Sequence, residues 1–389
     1  MTLVQRVGTA PAWAKVLALY AVSRVLTSGV LLTVFLVASG QGMTFASPRR
    51  DPSFFTFSGS WDASSYRTIA LEGYPIDLPL DGAGHVVSNV WAFLPVYPWL
   101  ARMLMGVTGL DFYTAGVIIS TLFGGAAAFA LYRLLGSRVG DRAALWAVAL
   151  FCFGPMSFVL QVAYAESLFL FLLFCALIAM VERNYLVMIP FGVVAAFTRP
   201  GGLAVALALA VIFVMRIVRR EPFPLREKIG VVAAGLSIAA AGLAWPVIAD
   251  AVTGHPGAYI ETELSWWVGF IGRQHLVPLT PWFIMGATWL GVLGVVLVLI
   301  VVAIFVWWML RRRLRELGPD LLAYSASYGV YLFAVFLPQE SILRLMLPFA
   351  PLLGDPAISR SPALRRTLLI AGVALQPVAV VLLWFLAYP

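Results

Sequence analysis

The stretch PWFIMGATWLGVLGVVLVLIVVAIFVWWML, running from Pro281 to Leu310, contains no ionisable side chain. A run of roughly 18 or more apolar residues is enough to carry a helix across the hydrocarbon core of a bilayer. This run ends abruptly at Arg311, Arg312 and Arg313. Comparable runs recur along the whole of the 389 residues, which are 62% hydrophobic and 11% charged with a mean hydropathy of +0.94. An ordinary soluble domain carries charges at roughly a quarter of its positions. Transmembrane β-barrels show short alternating segments of about ten residues, and none is visible. The chain therefore reads as an all-α polytopic membrane protein in one integral-membrane domain, 1–389, with no separate soluble domain.

Eleven spans are expected, at about 13–39, 112–136, 143–160, 162–182, 185–198, 200–218, 229–252, 281–310, 319–337, 341–354 and 367–388. Residues 1–12 are too polar and short for a signal peptide, and no small-residue cleavage site follows the first helix, which is read as retained. Segment 91–107 is apolar but short, broken by proline and rich in Trp and Tyr. It is placed along the outer interface rather than across the bilayer.

Charge then orients the chain. With the N-terminus cytoplasmic, 18 of the 26 basic residues fall inside. Only Arg49, Arg50, Arg67, Arg102, Arg199, Arg273 and Arg344 fall outside, and Arg24 lies within the first helix. That bias obeys the positive-inside rule, whereas a full span at 91–107 would invert everything after it. Most acids, including Asp62, Glu72, Glu166, Glu261, Glu263 and Glu340, lie on the outer side, as do His85, His255 and His275. Two long outer loops, about 40–111 and 253–280, place the working surface on the non-cytoplasmic face of a multi-pass cell-membrane protein. The sequence pI of 9.7 then reflects topology and anionic lipid, not nucleic acid. Only Lys15 and Lys228 among the basic residues are lysines, a usage that accompanies GC-rich bacterial coding.

The candidate chemistry begins in the first outer loop, at Trp61-Asp62-Ala63-Ser64-Ser65-Tyr66. A carboxylate held among aromatics at the lipid–water boundary suits a general base, because a hydrophobic collar raises its proton affinity. Its bland alternative is an N-cap for a helix starting at Ala63, and Glu72 reads as a loop contact. Phe93-Leu94-Pro95-Val96-Tyr97-Pro98-Trp99 reads as a proline-limited turn entering an interfacial helix, with Arg102 reaching for headgroups. In Tyr164-Ala165-Glu166-Ser167-Leu168, Glu166 opens a helix at the outer face. It is a candidate to orient an acceptor, or else a carboxylate favoured there by the helix dipole. Thr198-Arg199-Pro200-Gly201-Gly202 breaks an apolar stretch, and an arginine beside such a break defaults to a functional reading, with snorkelling the alternative. Arg344 is a second outer arginine, which could instead pair with Glu340 four residues earlier. Arg24, mid-helix in the first span, is assigned no role.

Cys152 and Cys175 sit in apolar helices and read as buried thiols. They offer no disulfide framework, and the histidines lack the spacing of a helical metal site. No cofactor is expected.

The Trp-Asp…Tyr…Ile-Ala…Gly-Tyr segment (61–74), Phe-Leu-Pro-Val-Tyr-Pro (93–98), Tyr-Ala-Glu-Ser-Leu (164–168) and Thr-Arg-Pro-Gly-Gly (198–202) resemble the PIG-V-type mannosyltransferases. These are relatives of the enzyme that adds the second mannose to GPI anchors. The usual Phe-Phe-Pro-Leu-Tyr-Pro is here slightly altered, and the second half of the chain resembles the family mainly in hydropathy. The resemblance implies a GT-C fold, a helical bundle with interfacial helices in the first outer loop and the active site there. It further implies an inverting, polyprenyl-phosphate-mannose-dependent mannosyltransferase, with Asp62 as the loop-one acid; its placement on the same outer face adds Glu166 as a second catalytic carboxylate. Trp61, Tyr66, Tyr97, Tyr164, Arg199 and Arg344 are then the substrate-binding set, with a polyprenyl-phosphate sugar as donor and a glycan or glycolipid as acceptor. A bacterial source would exclude a GPI acceptor. Residue chemistry agrees: a polyprenyl phosphate is already a good leaving group, so one base and cationic stabilisation suffice. The rival classes are a transporter or lipid flippase, for which Arg24 and the 198–202 break speak, and a scaffold subunit with dispensable acids. No internal repeat supports the transporter.

Overall fold

The computed structural model describes residues 11–43 and 52–387; Arg49 and Arg50, used above to orient the chain, lie outside the described residues, as do Arg6 on the inner side and Asp51 on the outer. Among the described residues the secondary structure is helical, and the only β pairing is an isolated bridge between Leu80 and Val86. In order the helices are α1 (Ala12–Gly40), α2 (Phe54–Phe57), α3 (Asp62–Glu72), α4 (Val96–Thr108), α5 (Phe112–Val139), α6 (Asp141–Phe153), α7 (Glu166–Val181), α8 (Tyr185–Ala196), α9 (Gly202–Val218) and α10 (Leu225–Thr253). There follow α11 (Ala258–Ser265), α12 (Val268–Ile271), α13 (Pro281–Leu290), α14 (Val292–Met309), α15 (Pro319–Val335), α16 (Ile342–Leu345), α17 (Pro356–Arg360) and α18 (Pro362–Val380), which ends in a π turn over Val381–Leu386.

Among the described residues five helices are long and apolar enough to cross a membrane: α1, α5, α10, α14 and α18 with its π turn. Helices α7, α8 and α9 are apolar but shorter. The chain is a multi-pass membrane protein. Most of α7 is sealed inside the bundle. Helix α14 lies at the outside, with Val292 79% and Leu293 75% exposed, and only lipid tails solvate such a surface.

Three expected spans are not continuous helices. Pro281–Leu310 breaks at Gly291, whose φ of 57° only glycine adopts freely. Helix α13 folds back on α14 so closely that Gly286 and Gly294 have no room for a Cβ on either. Hydropathy cannot register that break, because a hairpin of two apolar helices scores like one long span. Residues 341–354 form the short α16 and then a 3-10 run, Leu347–Gly354, since Pro348 and Pro351 withhold the amides that an α-helix needs. The expected span 143–160 stops at Phe153, before Gly154 and Pro155, and continues as a 3-10 segment, Pro155–Leu160.

That last break explains Arg24. Irregular backbone at membrane depth persists only where protein groups take up its polar atoms. Arg24 Nη1 donates to the Ser157 carbonyl at 2.8 Å and Nη2 to that of Cys152 at 3.1 Å. Gln376 of α18 reaches the Ser157 hydroxyl and also accepts from Thr27 at 3.3 Å. The mid-helix arginine is thus a cap for the end of α6, a structural cation rather than a transport charge.

At one end of the bundle the short connections are tied by ion pairs, Arg138–Asp320 at 3.2 Å and Arg360–Glu316 at 2.8 Å. At the other end the two long loops dock on each other. Asn89 Nδ2 donates to the Thr262 hydroxyl at 2.8 Å, and Trp245 Nε1 donates to the Trp91 carbonyl at 3.0 Å. Arg273 pairs with Asp81. Helix α4 spans 13 residues, about 20 Å at 1.5 Å per residue and too short for a hydrocarbon core of about 30 Å. It buries Tyr97, Pro98 and Ala101 and leaves Met103 and Val107 exposed, 70% and 86%.

Candidate active site

Asp62 is the first residue of α3. The preceding residue, Trp61, occupies the N-cap with φ 55°, a conformation costly for a side chain of its size, and no side-chain cap hydrogen bond forms there. The Asp62 carboxylate is therefore free of helix capping. Arg344 Nη1 lies 2.6 Å from its Oδ2. The Asp62 amide instead donates to the Tyr164 hydroxyl at 3.2 Å, and the Arg344 guanidinium sits 5.2 Å from the centre of the Tyr164 ring.

Glu166, at the start of α7, is almost fully buried and caps nothing. Arg199 Nη1 donates to its Oε1 at 2.6 Å, and Arg344 Nη1 lies 3.5 Å from the same oxygen. Arg199 and Arg344 thus come from distant segments to share one carboxylate. Snorkelling does not describe Arg199, and Arg344 turns to Asp62 and Glu166 rather than to Glu340. A buried ion pair is costly to assemble, since both charges lose water. Here two acids and two arginines cancel. Glu166 Oε2 has no hydrogen-bond partner among the described residues, and neither Nη1 nor Nε of Arg344 has an aligned acceptor. The cluster retains unspent hydrogen-bonding capacity beside a narrow crevice lined by Glu166, Arg199, Tyr328, Arg344 and Pro348.

The break that delivers Arg199 depends on its glycines. Helix α8 ends at Ala196, Gly201 adopts φ 142°, and a Cβ on Gly202 would lie 2.6 Å from that of Ala196. The carbonyl of Phe197, freed by the break, accepts the Val96 amide at 3.2 Å and so ties α4 to this turn.

Of the predicted aromatic set, Tyr66 and Tyr97 pack edge to face at 5.1 Å and are buried. Burial raises the proton affinity of the Tyr66 hydroxyl. The Tyr97 hydroxyl lies 3.1 Å from the Gly116 carbonyl and the Ser120 hydroxyl. Both form a wall behind the carboxylates rather than an open contact surface. Tyr164 is also sealed, but its hydroxyl touches the Asp62 backbone. Trp61 Nε1 donates to the Trp384 carbonyl at 2.9 Å, and Trp384 Nε1 donates to that of Phe57 at 3.0 Å. The π turn after α18 therefore props the Trp61-Asp62 step, a contact that hydropathy could not reveal.

A further acid enters from the second long loop. Glu263 of α11 hydrogen-bonds with Tyr259 on the same helix and lies near enough to Arg199 and Asp62 to feel both charges. Burial pushes its carboxyl up to about 7, with Asp62 adding to the rise and Tyr259 and Arg199 opposing it. The sequence reading counted Glu263 as an outer acid without placing it at the site. Its only local signal was a Tyr four residues before a Glu. Among the described residues, no three His, Cys, Asp or Glu side chains gather as metal ligands.

No family model and no curated protein matches the chain. Among solved structures it is similar to ArnT from Cupriavidus metallidurans bound to undecaprenyl phosphate. That match has 13% identity and a TM-score of 0.54, and it covers 95% of this chain and 64% of that one. The chain thus spans just under two thirds of the length of this ArnT. An oligosaccharyltransferase from Archaeoglobus fulgidus, in complex with zinc and sulfate, aligns at 14% identity over 81% of this chain and 47% of that one, with a TM-score of 0.46. The fold assignment rests on the first of these. The helical bundle has the GT-C fold of this ArnT.

Proposed function

We propose that the chain is an integral-membrane, inverting glycosyltransferase that moves mannose from a polyprenyl-phosphate donor to a glycan or glycolipid acceptor on the non-cytoplasmic face. The observation that carries this reading is the Asp62–Arg344–Glu166–Arg199 cluster under the docked loops. It combines a carboxylate base with cations that have unspent donors. Undecaprenyl phosphate on a structure of the same fold supports the class of donor. Support for mannose comes from the four motifs, and support for the orientation comes from the charge asymmetry.

In this mechanism the donor phosphate settles against Arg199 and Arg344. Its oxygens compete for the guanidinium of Arg344 and release the Asp62 carboxylate. An acceptor hydroxyl, oriented by the free oxygen of Glu166, attacks the anomeric carbon from the side opposite the phosphate. A new C–O bond forms, the bond to the phosphate oxygen breaks with its electron pair, and Asp62 takes the hydroxyl proton. The leaving polyprenyl phosphate keeps its charge against the arginines, so no general acid is required. Inversion follows from the single displacement.

The test is purification into lipid with radiolabelled polyprenyl-phosphate mannose. Label should pass to an endogenous glycan or glycolipid with release of polyprenyl phosphate. Transfer from another polyprenyl-phosphate sugar but not from the mannose donor would overturn the sugar assignment. Absence of any binding to polyprenyl phosphate would overturn the whole reading.

A further inference from the structure

Between α3 and α4 lies an open groove of about 340 Å³. Helix α3 contributes Ala70 and Leu71, and α4 with its C-terminal turn contributes Arg102, Met105, Gly106 and Leu110. Residues 102, 105 and 106 stand at i, i+3 and i+4, so they share one face of α4. The buried residues Tyr97, Pro98 and Ala101 lie to one side of that face, and the exposed apolar row of Trp99, Met103 and Val107 lies to the other. The groove therefore sits where α4 passes from protein-covered to exposed apolar surface.

Arg102 is the only ionisable residue in the lining. Among the described residues it makes no ion pair and no side-chain hydrogen bond. The acids next to the groove in sequence are engaged or turned away. Asp111 Oδ1 accepts the Tyr113 and Thr114 amides at 2.8 and 3.3 Å and so caps α5. Glu72 follows Leu71 on α3, about 100° further round the helix at 3.6 residues per turn, and is exposed. A guanidinium without a carboxylate attracts an anion, and its planar fork suits a phosphate. A free anion makes no use of Leu71, Met105 and Leu110, whereas a hydrocarbon chain does. Gly106 keeps room for one, since a Cβ built on it meets no atom within 4 Å. A headgroup that also carries an ammonium finds no carboxylate in the lining to pair with.

We propose that this groove seats one anionic phospholipid of the surrounding bilayer, with its phosphate on Arg102 and an acyl chain along Leu71, Met105 and Leu110. Helix α3 begins with Asp62, so the lipid braces the far end of the helix that carries the proposed base. The inference rests on the membrane placement of the chain and stands or falls separately from the glycosyltransferase reading.

The experiment uses the full-length protein in phosphatidylcholine nanodiscs doped with phosphatidylglycerol or phosphatidylcholine bearing a diazirine in one acyl chain. After photolysis, adducts are mapped by mass spectrometry. Adducts at Leu71, Met105 and Leu110 should be about five-fold more frequent from the phosphatidylglycerol probe, the equivalent of the ~1 kcal/mol that one basic residue draws from an anionic lipid surface. Arg102→Gln should bring the two probes level. Gly106→Leu, whose side chain fills the groove, should suppress adducts at these positions from both. Adducts on the exposed start of α14, at Val292 and Leu293, should be the same in all three proteins and report an intact fold. Equal labelling of the wild-type groove by the two probes, or groove adducts unchanged in Gly106→Leu, would overturn the proposal. Loss of the adducts on adding millimolar inorganic phosphate would also overturn it, by marking a site for a free anion.

Discussion

Arg344 Nη1 lies 2.6 Å from Asp62 Oδ2 and 3.5 Å from Glu166 Oε1, so one guanidinium bridges the two acids that open α3 and α7. In this arrangement the proposed base is neutralised until something draws Arg344 away. A donor phosphate is the natural competitor, which makes donor binding a precondition for deprotonating the acceptor.

Asp62→Asn keeps the side-chain size but cannot take a proton. Turnover should fall by about a hundred- to ten-thousand-fold, the usual cost of losing a general base, while undecaprenyl phosphate still binds. Because Asp62 caps no amide, helix stability should be little changed, and Arg344 keeps Glu166 nearby. Turnover and thermal unfolding on one preparation check this. A stable variant with normal transfer would remove Asp62 from the mechanism and shift attention to Glu166.

Arg199→Ala leaves Glu166 buried beside a single, more distant cation. Breaking a buried pair in this way costs about 3–5 kcal/mol, so the variant should unfold at markedly lower temperature. Adding Glu166→Gln should recover part of that loss, since the stranded charge is then gone. Arg199→Lys should hold the fold better than Ala yet lose donor affinity, because an ammonium lacks the planar fork. Full donor affinity in the Lys variant would mean that charge alone matters.

Membrane sidedness can be read by labelling. Ser88 and Ser137 are both exposed, on the first long loop and near the opposite end of the bundle. In a background lacking Cys152 and Cys175, a cysteine at 88 should react with an impermeant thiol reagent on intact cells. A cysteine at 137 should react only after permeabilisation. Equal labelling would sink the orientation and with it the interfacial placement of α4.

Glu263 links stability to pH with a definite sign. Burial raises its carboxyl from an ordinary 4.5 to about 7, so the folded state holds a proton that the unfolded chain has already lost. The resulting stabilisation is complete below about 4.5 and is lost as pH rises through about 7. Comparing unfolding temperatures of wild type and Glu263→Gln at pH 5 and pH 8 should show the variant gaining relative stability at the higher pH. Parallel curves would mean that the carboxyl titrates normally.

Much of the membrane architecture was legible from local sequence. The long spans 13–39, 112–136 and 229–252 reappear as α1, α5 and α10 with ends shifted by a few residues, because hydrophobic length is a property of contiguous residues. Most of segment 91–107 forms the short helix α4, because Pro95 and Pro98 and its length restrict it before any packing acts. Glu166, Arg199 and Arg344 could be selected singly, each being a charge at a helix start or break in apolar surroundings.

By itself the sequence determined that this chain crosses a membrane many times, and that its informative acids and arginines lie near helix ends on the long-loop side. Only the tertiary structure decided that Arg344 turns to Asp62 rather than to Glu340, and that Trp384 props the Trp61-Asp62 step. It also decided that Gly291 folds Pro281–Leu310 into a hairpin. The physical reason is the same in each case: hydropathy and helix periodicity are sums over neighbours, whereas an ion pair or a backbone-to-backbone contact depends on which distant segments the packing brings within about 3 Å, the hydrogen-bonding range.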